Sequence, residues 1–439
     1  MVASIHDDGE EREGVAKGDL ISSEKREFPD PATDVRVVQL TDQPCANSNA
    51  YYNQEQFIGG SEKLVFSSNR SGVQQLYSVD IDSGRIVQLT DEEPSGGFTV
   101  DSGRGIVYFG RERQFFALDV ETLREEAVAE SPEGCGPLHG PDLSSCGRYL
   151  VLGCGPQSRR PSFAYRYGRE AMVLLVDVQD KRQEVVYHGP SADNRAAPDS
   201  HLFISRGDPS WVWFGSYSRL QPTGVKTAWS MKVDLERLRP VHDPIPLFDQ
   251  QPFDYINHYY PAPDAHVESF HYQQTACDRD GIPVVPQQKL PMLLDVDLAR
   301  RTTSRWVFPG LAPTHFKCNN AGDMWAGDRA DPGFLWLEGR GVKGSAFRRE
   351  DSPDFDYWLH YWPEASEPDF PAHEWIGVFR KRGSYLEVRP LVRHNTTWAG
   401  GPHPHPVFSP DDRWIAYCAG EKGRSQLFLA EAVWPRWLT

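Results

Sequence analysis

The chain of 439 residues carries 14 histidines, and several of them share one register relative to a recurring turn. His405 lies six residues before Asp411 of Ser409-Pro410-Asp411, His258 six before Asp264, and His315 six before Ala321 of Ala321-Gly322-Asp323. His201 stands four before Ser205 as His405 stands four before Ser409, and His201, His258 and His315 are evenly spaced. His403 is two residues from His405, a spacing that puts both side chains on one side of an extended segment, where they can share a metal. A single loop histidine is usually a solvated residue, but four at one position of successive repeats are expected to converge on a shared site. His139, one position out of register, and His394 are expected to be structural. Tyr51, Tyr52, Tyr259 and Tyr260 fall beside the same segments, where packing competes with a role in the site. Trp211, Trp213 and Trp229 are expected to pack between repeats.

Something must hold these segments in register, and the chain shows a repeat that could. Residues 64 to 91, LVFSSNRSGVQQLYSVDIDSGRIVQLTD, read as alternating strands joined by polar turns, an antiparallel meander. Its middle piece, a β-rich run ending in aspartate, recurs at Asp80, Asp119, Asp177, Asp234 and Asp297. A loop, a turn and an aromatic or aliphatic strand recur from FIGGSEKLVF to FSPDDRWIAY, and spacings of about 40 to 60 residues match four-stranded propeller blades. The expected fold is all-β: a seven-bladed β-propeller with units starting near 51, 92, 134, 190, 252, 311 and 396. The last unit supplies three strands, and VRVVQLTD at 35–42 echoes RIVQLTD at 85–91. An N-terminal strand is therefore expected to complete the last blade, close the ring and remove its open edge. Residues 1–30 read as a polar lead-in, 31–439 as the propeller, and about 341–375 as an insertion in the sixth blade.

Composition limits the partners. With 46 Lys+Arg against 62 Asp+Glu the net charge is −16, which argues against nucleic acid, whose non-specific affinity comes from basic side chains displacing counterions. No apolar run approaches the roughly 18 residues of a membrane span. The first residues lack a basic segment followed by an apolar one, and the seven cysteines are odd in number with no CxxC pair. Both features lead us to expect a cytoplasmic protein with reduced thiols. No phosphate-binding glycine loop, GxSxG or HExxH is present, and DRDG at 278–281 reads as a hairpin turn.

The segments ISSEKREFPDPATDVRVVQLTD, KLVFSSNRSGVQQLYSVDIDSGRIVQLTD, THFKCNNAGDMWAGD and HPHPVFSPDDRWIAY together resemble the oligogalacturonate lyase family, seven-bladed propellers that cleave short pectic fragments by β-elimination. The resemblance runs over about residues 20 to 435; the QLT and SPD pieces alone are shared with TolB/WD40-like propellers. It implies a divalent metal, Mn²⁺ by family habit, held by His315, His403 and His405, with Gly400 at the position of a family glutamine ligand. It implies His258 as the base, within Asn257-His258-Tyr259-Tyr260; beside it, His201 from the shared register and Lys226 as a local positive charge are expected to be further catalytic groups. Tyr52 and Tyr259, near the same mouth, and Arg219, as a positive charge there, are the expected substrate contacts, and Thr227 stands where the family has an arginine. The implied partner is an acidic oligosaccharide.

The chemistry requires such groups. The C5 proton of a uronate is adjacent to an ionised carboxylate, a poor acidifying group until a cation offsets its charge. A neutral histidine can then take that proton. An acidic chain can host this substrate only where the mouth is locally positive, a task assigned to the metal and to Lys226 or Arg219. Two alternatives stand beside this reading: a related propeller lyase acting on another uronate linkage, and a non-catalytic propeller that binds a glycan or protein.

Overall fold

A computed structural model describes residues 16–155, 171–189, 201–217, 226–248, 255–261, 267–275, 289–298, 300–308, 313–329, 375–394, 396, 403–421 and 423–435. Arg219, Gly400, the 278–281 turn and nearly all of the 341–375 insertion lie outside these residues, as do the side chains of Lys226 and Tyr259. Every regular element among the described residues is a β-strand.

The strands form meanders in which chain neighbours pair antiparallel. The second is typical, running Ser95–Asp101, Ile106–Arg111, Gln114–Asp119 and Glu125–Glu130. Burial follows position rather than strict alternation. Middle strands such as Tyr149–Cys154 and Trp414–Ala419 are covered on both faces and are almost wholly apolar, whereas the outer strand Arg182–Gly189 is mostly exposed.

The described strands form six hydrogen-bonded sheets, not the seven separate blades expected from the repeat. The reason is one contact: Val307 pairs in parallel with Tyr385 and fuses two successive four-stranded meanders, the second of them ending at Arg393, into one eight-stranded sheet. At the chain ends, Arg36–Gln39 pairs antiparallel with Gln426–Glu431 and is flanked by Arg26–Pro29. Leu20–Ile21 adds an edge to the first sheet. Thus part of the segment read as a lead-in is strand.

Chain-consecutive meanders share apolar clusters. Phe203 and Trp213 pack with Ile256, Met292 and Leu294. Val151 and Leu175 pack with Val212, Phe214 and Trp229. Val38 and Leu40 join Leu64, Phe66, Val407 and Leu427, so the first and last meanders also share a core. Burying such side chains contributes about 1.5–3 kcal/mol each.

The first strands of successive meanders touch one another, placing the loops that enter them around one centre. Four of these strands carry an irregularity of this kind. The pairing skips from Ser95 to Phe98, from His139 to Asp142, from Ile256 to Tyr259, and from Pro313 to Phe316. A bulge re-aims the extra residue away from the ladder. Here the unpaired residues are Gly96–Gly97, Gly140–Pro141, Asn257–His258 and Thr314–His315, so two of the four bulges carry a histidine.

Candidate active site and metal centre

Five histidines from consecutive meanders meet at this centre. Their rings form a continuous chain, with centroids 5.4 Å apart for His201 and His258, 4.5 Å for His258 and His315, and 4.4 Å for His315 and His405. His403 lies 5.2 Å from His315 and 5.7 Å from His405. His315, His403 and His405 each offer a ring nitrogen within 4.8 Å of the others.

Asp328 organises the cluster. It is fully buried on Trp325–Arg329, the strand paired with that of His315. Its Oδ2 lies 2.8 Å from His315 Nδ1, and its Oδ1 accepts the His315 backbone N–H at 2.9 Å. The backbone N–H of His405 donates to Oδ2 at 3.2 Å. A carboxylate on Nδ1 fixes the tautomer whose Nε2 can ligate a metal, the usual second layer of a histidine metal site. Gly327 makes this approach possible, because a Cβ there would lie 2.3 Å from Pro313 Cβ and 3.1 Å from His315 O.

His405 has φ of 47°, the left-handed region that costs a non-glycine residue about 1–2 kcal/mol. Two bonds hold it there: its N–H to Asp328, and its carbonyl, which accepts from Asn49 Nδ2 at 2.7 Å. The strained backbone directs the imidazole into the cluster, where Nε2 is buried with no hydrogen-bond partner.

Electrostatics favour neutral ligands. Burial holds His315 well below the ordinary imidazole value, with His403 and His201 adding to the effect. Burial does the same to His405, reinforced by His315, and also lowers His403. Burial raises the Asp328 carboxyl against the opposing pull of His405 and two backbone N–H groups. Three neutral imidazoles with an orphaned Nε2 and a carboxylate behind them fit a divalent first-row ion.

The other expected residues divide. His201 is buried, and its Nε2 lies 2.9 Å from Tyr51 Oη. The Tyr51 ring also packs against His405 and His315, at 4.7 and 5.5 Å between centroids. Tyr52, expected to touch substrate, is instead fully buried, with its ring edge-on to His258 and tilted against His315. With no exposed surface it supports the histidine rings from beneath. Thr227 is buried on the Lys226–Asp234 strand. His394 is a core residue whose Nδ1 accepts the Thr396 N–H, and Trp213 and Trp229 lie in the apolar clusters.

The buried cations on these same strands and loops are paired. Lys317 Nζ lies 2.8 Å from Glu55, and Arg206 lies 2.8 Å from Asp142. Burial lowers the Lys317 ammonium pKa despite the pull of Glu55. Both cations are thus already matched by a carboxylate.

The sequence does not single out Asp328 or Asn49, and it places Tyr51 beside these segments with packing as the competing role. For Asp328 a signal existed: an aspartate ending the otherwise non-acidic run Met324-Trp325-Ala326-Gly327, in a strand pattern, must be paired if it is buried.

No family model matches the chain. It is 20% identical to an oligogalacturonate lyase of Dickeya dadantii over 96% of this chain and 100% of that protein. It is 27% identical to an oligogalacturonide lyase of Pectobacterium atrosepticum over 27% of this chain and 31% of that one. The crystal structure of an oligogalacturonate lyase from Vibrio parahaemolyticus superposes with a TM-score of 0.72 at 17% identity, covering 95% of this chain and 98% of the other. An oligogalacturonate lyase in complex with manganese gives 0.71 at 17% identity and the same coverage. The chain is thus similar along nearly its whole length to oligogalacturonate lyases, and its fold is their β-propeller.

Proposed function

We propose that the protein is a metal-dependent lyase that cleaves uronate-containing oligosaccharides, oligogalacturonate first among them, by β-elimination. The observation that carries this reading is the convergence of His258 on the His315–His403–His405 cluster. A base and a metal-ligand set then stand side by side. Relatives and a structural neighbour named as oligogalacturonate lyases, one of them a manganese complex, support it. When bound at His315, His403 and His405, a divalent ion such as Mn²⁺ supplies positive charge that offsets the uronate carboxylate and acidifies C5.

The chain's own residues do the rest. His258 takes the C5 proton; the C5–H electrons form the C4=C5 double bond, the C4–O4 bond breaks, and O4 leaves with a proton from solvent. His201, held by the Tyr51 hydroxyl, borders the base, and Tyr52 fixes the His258 ring edge-on. Asp328 keeps His315 in its ligating tautomer. The buried Thr227, at the position of the family arginine, favours a second reading in which the cleaved linkage is a different uronide.

The test is ultraviolet absorbance of the unsaturated product after incubation of the protein with Mn²⁺ and a panel of uronides, digalacturonate included. Product from at least one member is expected. None from any member, with no metal in the purified protein, overturns both readings. His258→Ala should remove turnover and leave the thermal midpoint nearly unchanged; a variant that unfolds would make His258 a packing residue.

A further inference from the structure

The elimination leaves one proton without a carrier. When the C4–O4 bond breaks, O4 departs as the anomeric oxygen of the other product, and its negative charge must be met as it forms. Solvent is the source of that proton, but a positioned acid delivers it faster, by about 10²–10⁴-fold. Among the described residues at the centre, His315, His403 and His405 form the ligand set, His258 is the base, and the buried Asp328 stands behind His315. Tyr51 is the hydroxyl beside them.

Tyr51 is fixed at both ends. Its backbone N–H donates to Gln54 Oε1 at 3.2 Å, and its carbonyl accepts the Gln54 N–H at 2.9 Å. Its ring meets those of His315 and His405 edge-on, and its Oη lies 2.9 Å from His201 Nε2. Tyr51 and His258 thus border the same two imidazoles, His201 and His315. Unlike the fully buried Tyr52, Tyr51 is half-buried, so part of its surface meets solvent, and it lines a cleft of about 540 Å³ between the first, second and third meanders.

The stereochemistry asks for two separate groups. In galacturonate C5–H and O4 are both axial, on opposite faces of the ring, so base and proton donor must approach from different sides. His258 comes from the Tyr255–Pro261 strand and Tyr51 from the loop before Phe57–Ile58. A phenol is a stronger acid than an anomeric hydroxyl, and with a proton on Nε2 His201 donates to Oη, a bond that strengthens as the phenolate forms.

We propose that Tyr51 is the general acid of the reaction, handing its hydroxyl proton to O4, with His201 as its positioning partner. The step balances: His258 gains the C5 proton, Tyr51 gives its own to O4, and solvent then removes the first and restores the second. The inference rests on the lyase reading and keeps oligogalacturonate as a substrate.

The experiment compares two leaving groups at saturating Mn²⁺: digalacturonate, whose departing oxygen needs a proton, and methyl galacturonoside carrying a 4-nitrophenyl ether at O4, whose departing phenolate needs none. Tyr51→Phe should lose about 100-fold or more in kcat on the first and less than about threefold on the second. Its bound Mn²⁺ and thermal midpoint should match the native protein, because the ring contacts remain. His201→Ala should lose about tenfold on digalacturonate alone, and decides the matter should Tyr51→Phe not fold. Equal losses on both substrates, or a lost equivalent of Mn²⁺, make Tyr51 a packing residue and overturn the proposal. A native protein that turns over digalacturonate no faster than Tyr51→Phe overturns this inference alone; a native protein that makes no unsaturated product from any uronide overturns the lyase reading and this inference with it.

Discussion

Asp328→Asn isolates the role of one carboxylate in the metal centre. The substitution preserves shape and one acceptor oxygen but replaces the other with an amide that donates. In the native protein Asp328 Oδ2 lies 2.8 Å from His315 Nδ1, and the carboxylate also accepts the backbone N–H groups of His315 and His405. An amide nitrogen facing Nδ1 reverses that bond: Nδ1 becomes the acceptor and the proton moves to Nε2, the nitrogen needed for a metal. Losing an outer partner of a ligating histidine costs about 10–100-fold in metal affinity, or about 1.4–2.8 kcal/mol. Mn²⁺ affinity would be read by competition with a fluorescent chelator, and the His315 tautomer by nitrogen NMR. The thermal midpoint should fall only modestly, since the Asn oxygen can still accept a backbone N–H. Asp328→Ala should fall further, because each donor left unpaired in the buried site costs about 1–3 kcal/mol. An Asp328→Asn protein whose metal affinity stays within about twofold of the native value, with His315 still protonated at Nδ1, would refute the reasoning.

Other expectations follow from the same geometry. His403→Ala and His405→Ala should each lower bound Mn²⁺ well below one equivalent by elemental analysis; a full equivalent in either variant removes that residue from the ligand set. The metal-free protein should lose stability as pH falls. His315, His403 and His405 are held below the ordinary value of about 6.5 when folded, so below that pH the unfolded chain binds protons that the folded one does not. A urea midpoint that is flat from about pH 7.5 to about pH 5.5 would contradict this. Leu40 is fully buried where the first and last meanders meet, and its N–H donates to the Leu427 carbonyl at 2.8 Å. Leu40→Ala should cost about 2–5 kcal/mol in chemical denaturation; a loss below about 1 kcal/mol would mean that this junction contributes little.

Local pattern made much of the architecture legible. Strands such as Lys63–Ser68 and Gln75–Asp80 declare themselves by β-branched and aromatic content between polar turns. What local pattern could not show was the bridge between Val307 and Tyr385, which joins two meanders into one sheet. A single parallel pair between residues so far apart leaves no periodic trace. Tyr52 illustrates the same limit: an aromatic at a mouth segment can face substrate or core, and only packing placed it beneath His258 and His315.

Taken by itself, the sequence determined that the protein is built of repeated antiparallel strands, and that His201, His258, His315, His403 and His405 occupy related positions in them. Both are periodic properties, written along the chain at fixed spacing. The tertiary structure alone decided how those positions become chemistry. The recurring bulges at His258 and His315 turned the side chains inward, and Asp328 reached His315 and His405 from a neighbouring strand. Asn49 and Asn53, both near the start of the first meander, came to line a cleft beside histidines hundreds of residues away in sequence. Such pairings depend on which strands the fold brings together, and no spacing in one dimension encodes a hydrogen bond between segments so far apart in the chain.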